Sequence, residues 1–109
     1  MTGPVVRLTA VVAMVPGVAE PELRDWIARG WLRPGGEPPE WAFAVADVER
    51  ARIIRALRHE ADVAADHLAL VLRLLDRTMA LRTRLQRLDA ALAEQPSAVR
   101  AAVEAALDR

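Results

Sequence analysis

The sequence contains no cysteine, lysine, tyrosine or asparagine, and it has one serine and two histidines among 109 residues. Without cysteine, neither a disulfide framework nor a thiolate metal site can form. Because hydroxyl, thiol and amine side chains are scarce, there are few candidate nucleophiles for covalent catalysis. These absences favour a protein that works by binding. We predict that it is not an enzyme and has no catalytic residue, no metal and no cofactor.

The charges are balanced, and all fifteen basic residues are arginines against fifteen acids. A net charge of zero is unfavourable for a nucleic-acid-binding protein. With 53% hydrophobic residues the chain can bury a core. No apolar run is long enough to span a membrane, and the apolar stretch Val5 to Val15 lacks a basic leader. We therefore expect a cytoplasmic protein without a membrane partner.

The stretch from Glu20 to Pro34 predicts a short helix followed by an extended segment. Leu23, Trp26 and Ile27 form one apolar stripe at helical spacing. Gly30 is the expected C-terminal stop, and Pro34 prevents the helix from resuming.

An earlier short helix completes a helix-turn-helix. Thr9 is its predicted N-cap, the helix runs through Val15, and Pro16-Gly17 is the turn between the two helices. After the second helix, a glycine- and proline-rich loop separates two short strands, around Trp31–Arg33 and Glu40–Phe43. We expect these strands to pair as a wing.

A third helix is predicted from Val48 to about His59, with Asp47 as its N-cap. A break follows from Asp62 to Asp66, where Asp62 is the residue expected to take a left-handed conformation. A long helix then runs from about Ala65 to Leu92. It carries a heptad seam of apolar residues with alternating spacings of four and three, which indicates a partner helix. The seam that we assign to a homodimer interface consists of Val71, Leu74, Thr78, Leu81, Leu85, Leu88 and Leu92.

A last helix is expected to start at Pro96-Ser97 and either to fold back on the long helix or to pack against a second copy. The predicted domains are residues 1–62, a winged helix-turn-helix, and residues 63–109, a coiled-coil-type helix with the C-terminal helix. A homodimer is favoured because a chain of 109 residues has little else to cover the seam.

Two groups of motifs resemble known proteins. Leu23-Arg24-Asp25-Trp26 followed by Gly30-Trp31-Leu32-Arg33-Pro34 resembles the corresponding run of MerR-like regulators. Trp41-Ala42-Phe43, the segment from Asp47 to Arg55, and Leu70-Val71-Leu72-Arg73-Leu74-Leu75-Asp76-Arg77 are similar to the chaperone-modulator (CbpM) branch of that superfamily. The resemblance covers roughly Leu8 to Leu92, so the helix from Ser97 lies outside the family pattern.

The resemblance implies a mainly α fold: a MerR-like winged helix-turn-helix with a small two-stranded wing, then a long dimerisation helix and a short C-terminal helix. It also implies a function. Members of this branch bind the J domain of a DnaJ-type co-chaperone (the curved-DNA-binding protein CbpA) and restrain it.

Electrostatics distinguish a protein-binding role from a DNA-binding one. Residues 1–48 carry four arginines against six acids, a net charge of −2, whereas residues 49–109 carry a net charge of +2. A DNA-reading helix-turn-helix presents the N-terminus of its second helix to phosphate. Here Glu20 and Glu22 occupy that first turn and would repel phosphate. DNA binding is therefore disfavoured but not excluded, because Arg24, Arg29, Arg33 and Arg50 could still come together.

An acidic face suits a basic partner, and the family's J domains carry a basic helix. The acidic surface that we expect to bind this helix consists of Glu20, Glu22, Asp25, Glu37, Glu40 and Asp47. Each of these acids has an alternative role in helix capping or solubility. His59 and His67 lie near acids, but a metal site needs three or four convergent ligands, and ordinary histidines are favoured.

Overall fold

A computed structural model describes residues 3–109, and Met1 and Thr2 lie outside the described residues. It contains strands β1 (Val5–Val6) and β2 (Phe43–Ala44). Its helices are α1 (Leu8–Met14), α2 (Glu20–Ala28), α3 (Val45–Arg55), α4 (Ala65–Ala93) and α5 (Ser97–Leu107). A π-helical turn, Ala56–Glu60, follows α3. The mainly α fold with a two-stranded antiparallel sheet is thereby confirmed.

The helix-turn-helix is formed by α1 and α2, joined through Pro16-Gly17. Thr9 is not the N-cap of α1, because the helix begins at Leu8 with Arg7 at the cap position. The end of α2 follows the predicted pattern. Gly30 adopts φ +76°, and the N–H groups of Gly30 and Trp31 donate to the carbonyls of Ile27 and Trp26 at 3.0 and 2.9 Å. This is a Schellman closure, in which the left-handed residue is most often glycine.

The predicted pairing of the wing strands is wrong in detail. Trp31 and Leu32 both donate to the Trp26 carbonyl and are buried in the core, so they cannot form a strand. The loop is instead closed by one bridge, in which Gly35 and Ala42 exchange two N–H···O bonds of 2.9 Å. The following strand β2 pairs with β1 at the start of the chain, with Val6 opposite Phe43 and Val5 opposite Ala44.

Helix α3 begins three residues earlier than predicted. Asp47 is therefore inside its first turn rather than at the cap, and its carboxylate accepts a 2.8 Å hydrogen bond from the Ala44 N–H. This is one half of a capping box, which satisfies a backbone donor outside the helix. The helix then gives way to the π-helical turn, which ends with the Ala61 N–H donating to the Ala56 carbonyl at 2.9 Å. Asp62 takes the predicted left-handed conformation, with φ 57°.

The chain divides into two compact units, one ending at Leu72 and the other spanning Arg73–Arg109. The division falls within α4 because Leu68 and Leu72, on its first two turns, are buried. A domain boundary between residues 62 and 63 remains a prediction.

All fourteen buried residues of the described chain lie in the first unit, whose core draws on helices α1 to α3, strand β2, the loops around α2 and the start of α4. Trp26, Trp31 and Phe43 belong to this core, whereas Trp41 is half-buried. On α3, Val48, Ala51 and Ile54 are buried, but Ile53 is 40% exposed. Three of the four large aromatic side chains thus pack in the core.

Candidate protein-interaction surface

The acidic surface is organised by the first turns of α2. Pro21 lies in the first turn, and Ala19 precedes it with an extended backbone and no side-chain cap. Glu20 and Glu22 therefore provide the negative charge at the positive end of the helix, an arrangement that stabilises the helix dipole. No basic residue lies in this first turn of the sequence, which reads Glu20-Pro21-Glu22-Leu23.

Two acids of the surface pair with arginines on the same helix face. The Glu20 carboxylate accepts from Arg24 at 2.7 Å, and the Asp25 carboxylate accepts from Arg29 at 2.8 Å. All four side chains are between 44% and 53% exposed. Exposed pairs at this i,i+4 spacing contribute only about 0.3–0.5 kcal/mol, so they are easily opened.

The remaining members of the surface are placed differently. Glu22 lies 2.9 Å from the Nε2 of His59, which links α2 to the π-helical turn. Glu40 lies 3.6 Å from Arg7, whose guanidinium also donates to the Glu40 carbonyl at 2.9 Å. Glu37 is exposed in the loop, and Asp47 is half-buried and engaged with Ala44. The surface therefore consists of an α2 group, two loop acids and one capping carboxylate.

Two tryptophans bring arginines into the same area. The Arg24 guanidinium lies 5.2 Å from the Trp41 ring centroid, and that of Arg29 lies 5.1 Å from the Trp31 ring. Arg24 thereby connects Glu20 on α2 with the half-buried Trp41 in the loop. These are cation–π contacts, which add to the charge pairs.

The four arginines that would favour DNA binding are partly brought together. Arg33 donates to the Gly30 carbonyl at 3.3 Å, and Arg50 donates to the Trp31 carbonyl. Together with Arg29 on the Trp31 ring, three of the four converge on Gly30 and Trp31. Each of these three guanidinium groups already has a contact within the chain.

Sequence reasoning did not find the pair of Glu22 with His59, which are 37 positions apart, or the contact of Arg24 with Trp41. Nothing in local spacing signals either of them. The two i,i+4 pairs on α2, in contrast, follow directly from the helical repeat and could have been predicted.

The second unit carries most of the seam. Leu74, Leu81, Leu85 and Leu88 are each 54–61% exposed. The Thr78 hydroxyl donates to the Leu74 carbonyl at 2.9 Å, which satisfies this polar seam residue within its own helix. Of the other members, Val71 and Leu92 are half-buried. These placements leave the assigned dimer interface available in the single chain.

Within residues 3–109, no cluster of three or more histidine, aspartate or glutamate side chains is arranged to hold a metal ion. No helix in the described part of the chain has both the length and the apolarity to cross a membrane.

Comparison with known proteins gives one family. No curated protein and no solved structure matches the chain. Residues 11–90 match the family described as MerR HTH family regulatory protein, a match that runs from within α1 to the distal part of α4. The match covers well over half of the sequence and contains the helix-turn-helix, the loop and most of the long helix. The chain belongs to the MerR helix-turn-helix family of regulatory proteins.

Proposed function

We propose that the protein is a non-catalytic cytoplasmic homodimer that inhibits a DnaJ-type co-chaperone by binding its basic J domain through the acidic surface. The MerR helix-turn-helix family consists of regulators and is in general non-enzymatic. The observation that carries the proposal is the pair of carboxylates, Glu20 and Glu22, in the first turn of α2.

A phosphate group would meet negative charge at this position. In DNA-reading proteins of this architecture, free N–H groups and basic side chains at the start of the second helix contact the DNA backbone. Glu20 and Glu22 present carboxylates there instead, and Asp25 follows one turn later. A basic protein helix is the complementary partner for such a surface.

The ion pairs on α2 are compatible with this role. Glu20 and Asp25 are held by Arg24 and Arg29 in exposed pairs, which are weak and screened by salt. A basic helix that supplies its own cations can replace those arginines at a small free-energy cost. Arg24 and Arg29 also contact the Trp41 and Trp31 rings, so the carboxylates are not their only partners.

Homodimer formation is supported by the seam. Four of its leucines are more than half exposed in the single chain. Each leucine side chain fully removed from water contributes about 1.5–3 kcal/mol, so covering the seam provides a substantial driving force for association. A second copy offers the same seam, as a two-fold symmetric interface requires.

DNA-binding transcriptional regulation is the second candidate, and the convergence of Arg29, Arg33 and Arg50 on Gly30 and Trp31 favours it. Duplex binding, however, usually draws on about 6–10 phosphate contacts. The first 48 residues supply four arginines, which are outnumbered by six acids. We therefore place this function second.

Calorimetry with a purified J domain tests the proposal. We expect Glu20→Arg, Glu22→Arg and Asp25→Arg combined to weaken binding at least about tenfold, because charges in direct contact across an interface change sign. The matched control changes Glu94, Glu104 and Asp108 to arginine, which alters the net charge equally in the second unit. Circular dichroism establishes that both variants are folded.

Undiminished affinity of the first triple variant, or an equal loss in the control, contradicts the proposed surface. A gel shift with random duplex DNA at physiological salt tests the second candidate in parallel. Retarded duplex, without J-domain binding in calorimetry, would establish the DNA-binding function instead.

A further inference from the structure

A second row of residues on α4 has the same alternating spacing of four and three as the seam. Each of its members comes directly before a seam residue, so the row is rotated from the seam by about 100° around the helix. We call this row the arginine face, and it consists of Arg73, Arg77, Ala80, Arg84, Arg87 and Ala91. All six residues are exposed. Long basic side chains therefore extend into solvent along about 20 Å of the helix.

The arginines of this face differ from those of the first unit in their partners. Every arginine of the first unit donates to a carboxylate or to a backbone carbonyl. By contrast, no guanidinium group on the arginine face forms a hydrogen bond or an ion pair within the described part of the chain. The face itself contains no acid. Its positive charge is therefore available to a partner outside the chain.

The arginine face borders a cleft of about 710 Å³. Three arginines, one small residue and two leucines of the seam contribute to its lining: Arg77, Arg84, Arg87, Ala80, Leu81 and Leu88. The two leucines are 61% and 57% exposed. A partner that fills this cleft must present negative charge to the arginines and an apolar surface to the leucines.

We propose that the arginine face binds an acidic amphipathic helix of another protein. This helix lies along α4, with carboxylates on Arg77 and Arg84 and apolar side chains on Leu81 and Leu88. The proposal goes beyond the proposed function, which uses the acidic surface of the first unit. Arginine suits such a partner because its planar guanidinium can form two parallel hydrogen bonds with one carboxylate.

The spacing of the lining residues favours a helix as the occupant. Arg77 and Arg84 are seven residues apart, and so are Leu81 and Leu88. Each pair therefore spans about 10.5 Å, which is the length of one heptad in a partner helix. The small side chain of Ala80 lies between the two arginines and allows close approach, because the distance between packed helices depends on the side chains at the contact.

Two other polyanions match the cleft less well. Nucleic acid would leave the leucines without an apolar partner, and duplex binding usually draws on about 6–10 phosphate contacts. An anionic membrane surface is commonly anchored by tryptophan or tyrosine. The second unit contains neither of these, since all three tryptophans precede Arg73 and the chain has no tyrosine.

Binding at the arginine face is compatible with the proposed homodimer. Leu81 and Leu88 also belong to the assigned dimer interface, but the arginine face lies to one side of it. The rotation of about 100° leaves room for a second copy on the seam and an acidic helix beside it, since a helix in a bundle contacts more than one neighbour.

Calorimetry with the full chain tests the proposal. The probe is a synthetic helical peptide of about three heptads, in which glutamate and leucine each recur at every seventh position. The same peptide with glutamine in place of glutamate is the control for charge. Random duplex DNA, and vesicles of equal parts phosphatidylcholine and phosphatidylglycerol, represent the other polyanions. We expect the glutamate peptide to bind and the glutamine peptide not to bind.

Two triple variants locate the binding site. Arg77→Gln, Arg84→Gln and Arg87→Gln combined should weaken binding of the glutamate peptide about tenfold, because three exposed charge contacts are lost. The matched control replaces arginines of the second unit outside the face and removes the same charge: Arg82→Gln, Arg100→Gln and Arg109→Gln. It should change the affinity by less than about twofold. Circular dichroism establishes that both variants are folded.

Ala80→Arg distinguishes a helix in the cleft from a polyanion that only follows charge. The substitution suits an exposed helix position. It should weaken binding of the glutamate peptide at least about fivefold, because the long side chain occupies the space of the partner helix. Duplex DNA or anionic vesicles would instead bind more tightly to the added cation.

Several results would overturn the proposal. These are no binding of the glutamate peptide, equal losses in the two triple variants, and tighter peptide binding by Ala80→Arg. Preferential binding of duplex DNA or of vesicles would assign the face to that polyanion instead. None of these substitutions lies in the first unit, so the J-domain measurement succeeds or fails separately.

Discussion

The two units of the protein are both largely helical, but only one of them has a core. The first unit buries aliphatic and aromatic side chains from all of its helices, and Leu23 and Val11 have no exposed surface. In the second unit no residue from Arg73 to Arg109 is buried, although its helices contain leucines at regular spacing. Helical periodicity is therefore common to both units, and it does not by itself show where the apolar face is covered.

The difference has a physical origin. In the first unit, turns such as Pro16-Gly17 and Gly30 bring short helices together, so each apolar stripe meets another. The second unit has one long helix and one short helix, which leave a groove rather than a closed core. A long helix with a seam is stabilised mainly by what packs against it. We therefore expect the first unit to be stable alone and the second to depend on association.

A leucine-to-alanine substitution in each unit should give the largest difference in the free energy of unfolding. Leu23→Ala removes a fully buried side chain and should lower the free energy of unfolding by about 2–5 kcal/mol. Leu81→Ala removes a side chain that is 61% exposed, and at low protein concentration it should change that free energy by no more than about 0.5 kcal/mol. Urea titration followed by tryptophan fluorescence measures the first unit, which holds all three tryptophans.

Protein concentration sharpens this comparison. The loss of unfolding free energy caused by Leu81→Ala should grow as protein concentration rises, because seam leucines become buried in the proposed dimer. The cost of Leu23→Ala should not depend on concentration. Equal costs for the two variants in dilute solution would show that the second unit has a core of its own.

Much of the fold could be predicted from the sequence because its signals are local. The turn at Pro16-Gly17, the stop at Gly30, the left-handed Asp62 and the long helix all follow from residue preferences and helical spacing. The strand pairing could not be predicted in the same way. Trp31 is both β-prone and able to close α2, and burial in the core decided between these possibilities.

The predicted N-cap residues of α1 and α3 were also wrong. Thr9 and Asp47 are good capping residues, yet α1 begins before Thr9 and α3 begins before Asp47. In α3 the Asp47 carboxylate still accepts a hydrogen bond from the Ala44 N–H, although Asp47 lies three residues after the cap position. Residue type thus indicated roughly where each helix starts, but not its first residue.

The candidate surface was less predictable than the fold. The acids on α2 could be identified by their position, but His59, which pairs with Glu22, and Trp41, which lies against Arg24, come from other elements. Those contacts depend on how α2 packs against the loop and the π-helical turn. A charge count cannot provide that information.

A second pair of substitutions examines how tightly contacts in the first unit fix its backbone. Gly30 and Gly36 both adopt φ +76°. A Cβ at Gly30 meets no atom within 4 Å, whereas one at Gly36 would lie 2.7 Å from the Glu40 carbonyl oxygen. We expect Gly30→Ala to cost about 1–2 kcal/mol for the left-handed conformation. Gly36→Ala should lower the free energy of unfolding by more, because its Cβ would also meet the Glu40 carbonyl oxygen. Urea titration of both variants measures the two losses. A smaller loss at Gly36 would mean that the loop shifts easily to accept the Cβ.

The smallest expected effect concerns the ion pairs on α2. Asp25→Asn removes the pair with Arg29, whose partners are about half exposed, and should lower stability by about 0.3–0.5 kcal/mol at low salt. The effect should shrink as salt is raised, because exposed charges are screened. A cost above about 1 kcal/mol, or one unaffected by salt, would show that Asp25 is part of the structure of the first unit. A small, screened cost would leave its carboxylate available to a basic partner, since little stability is lost when Arg29 is displaced.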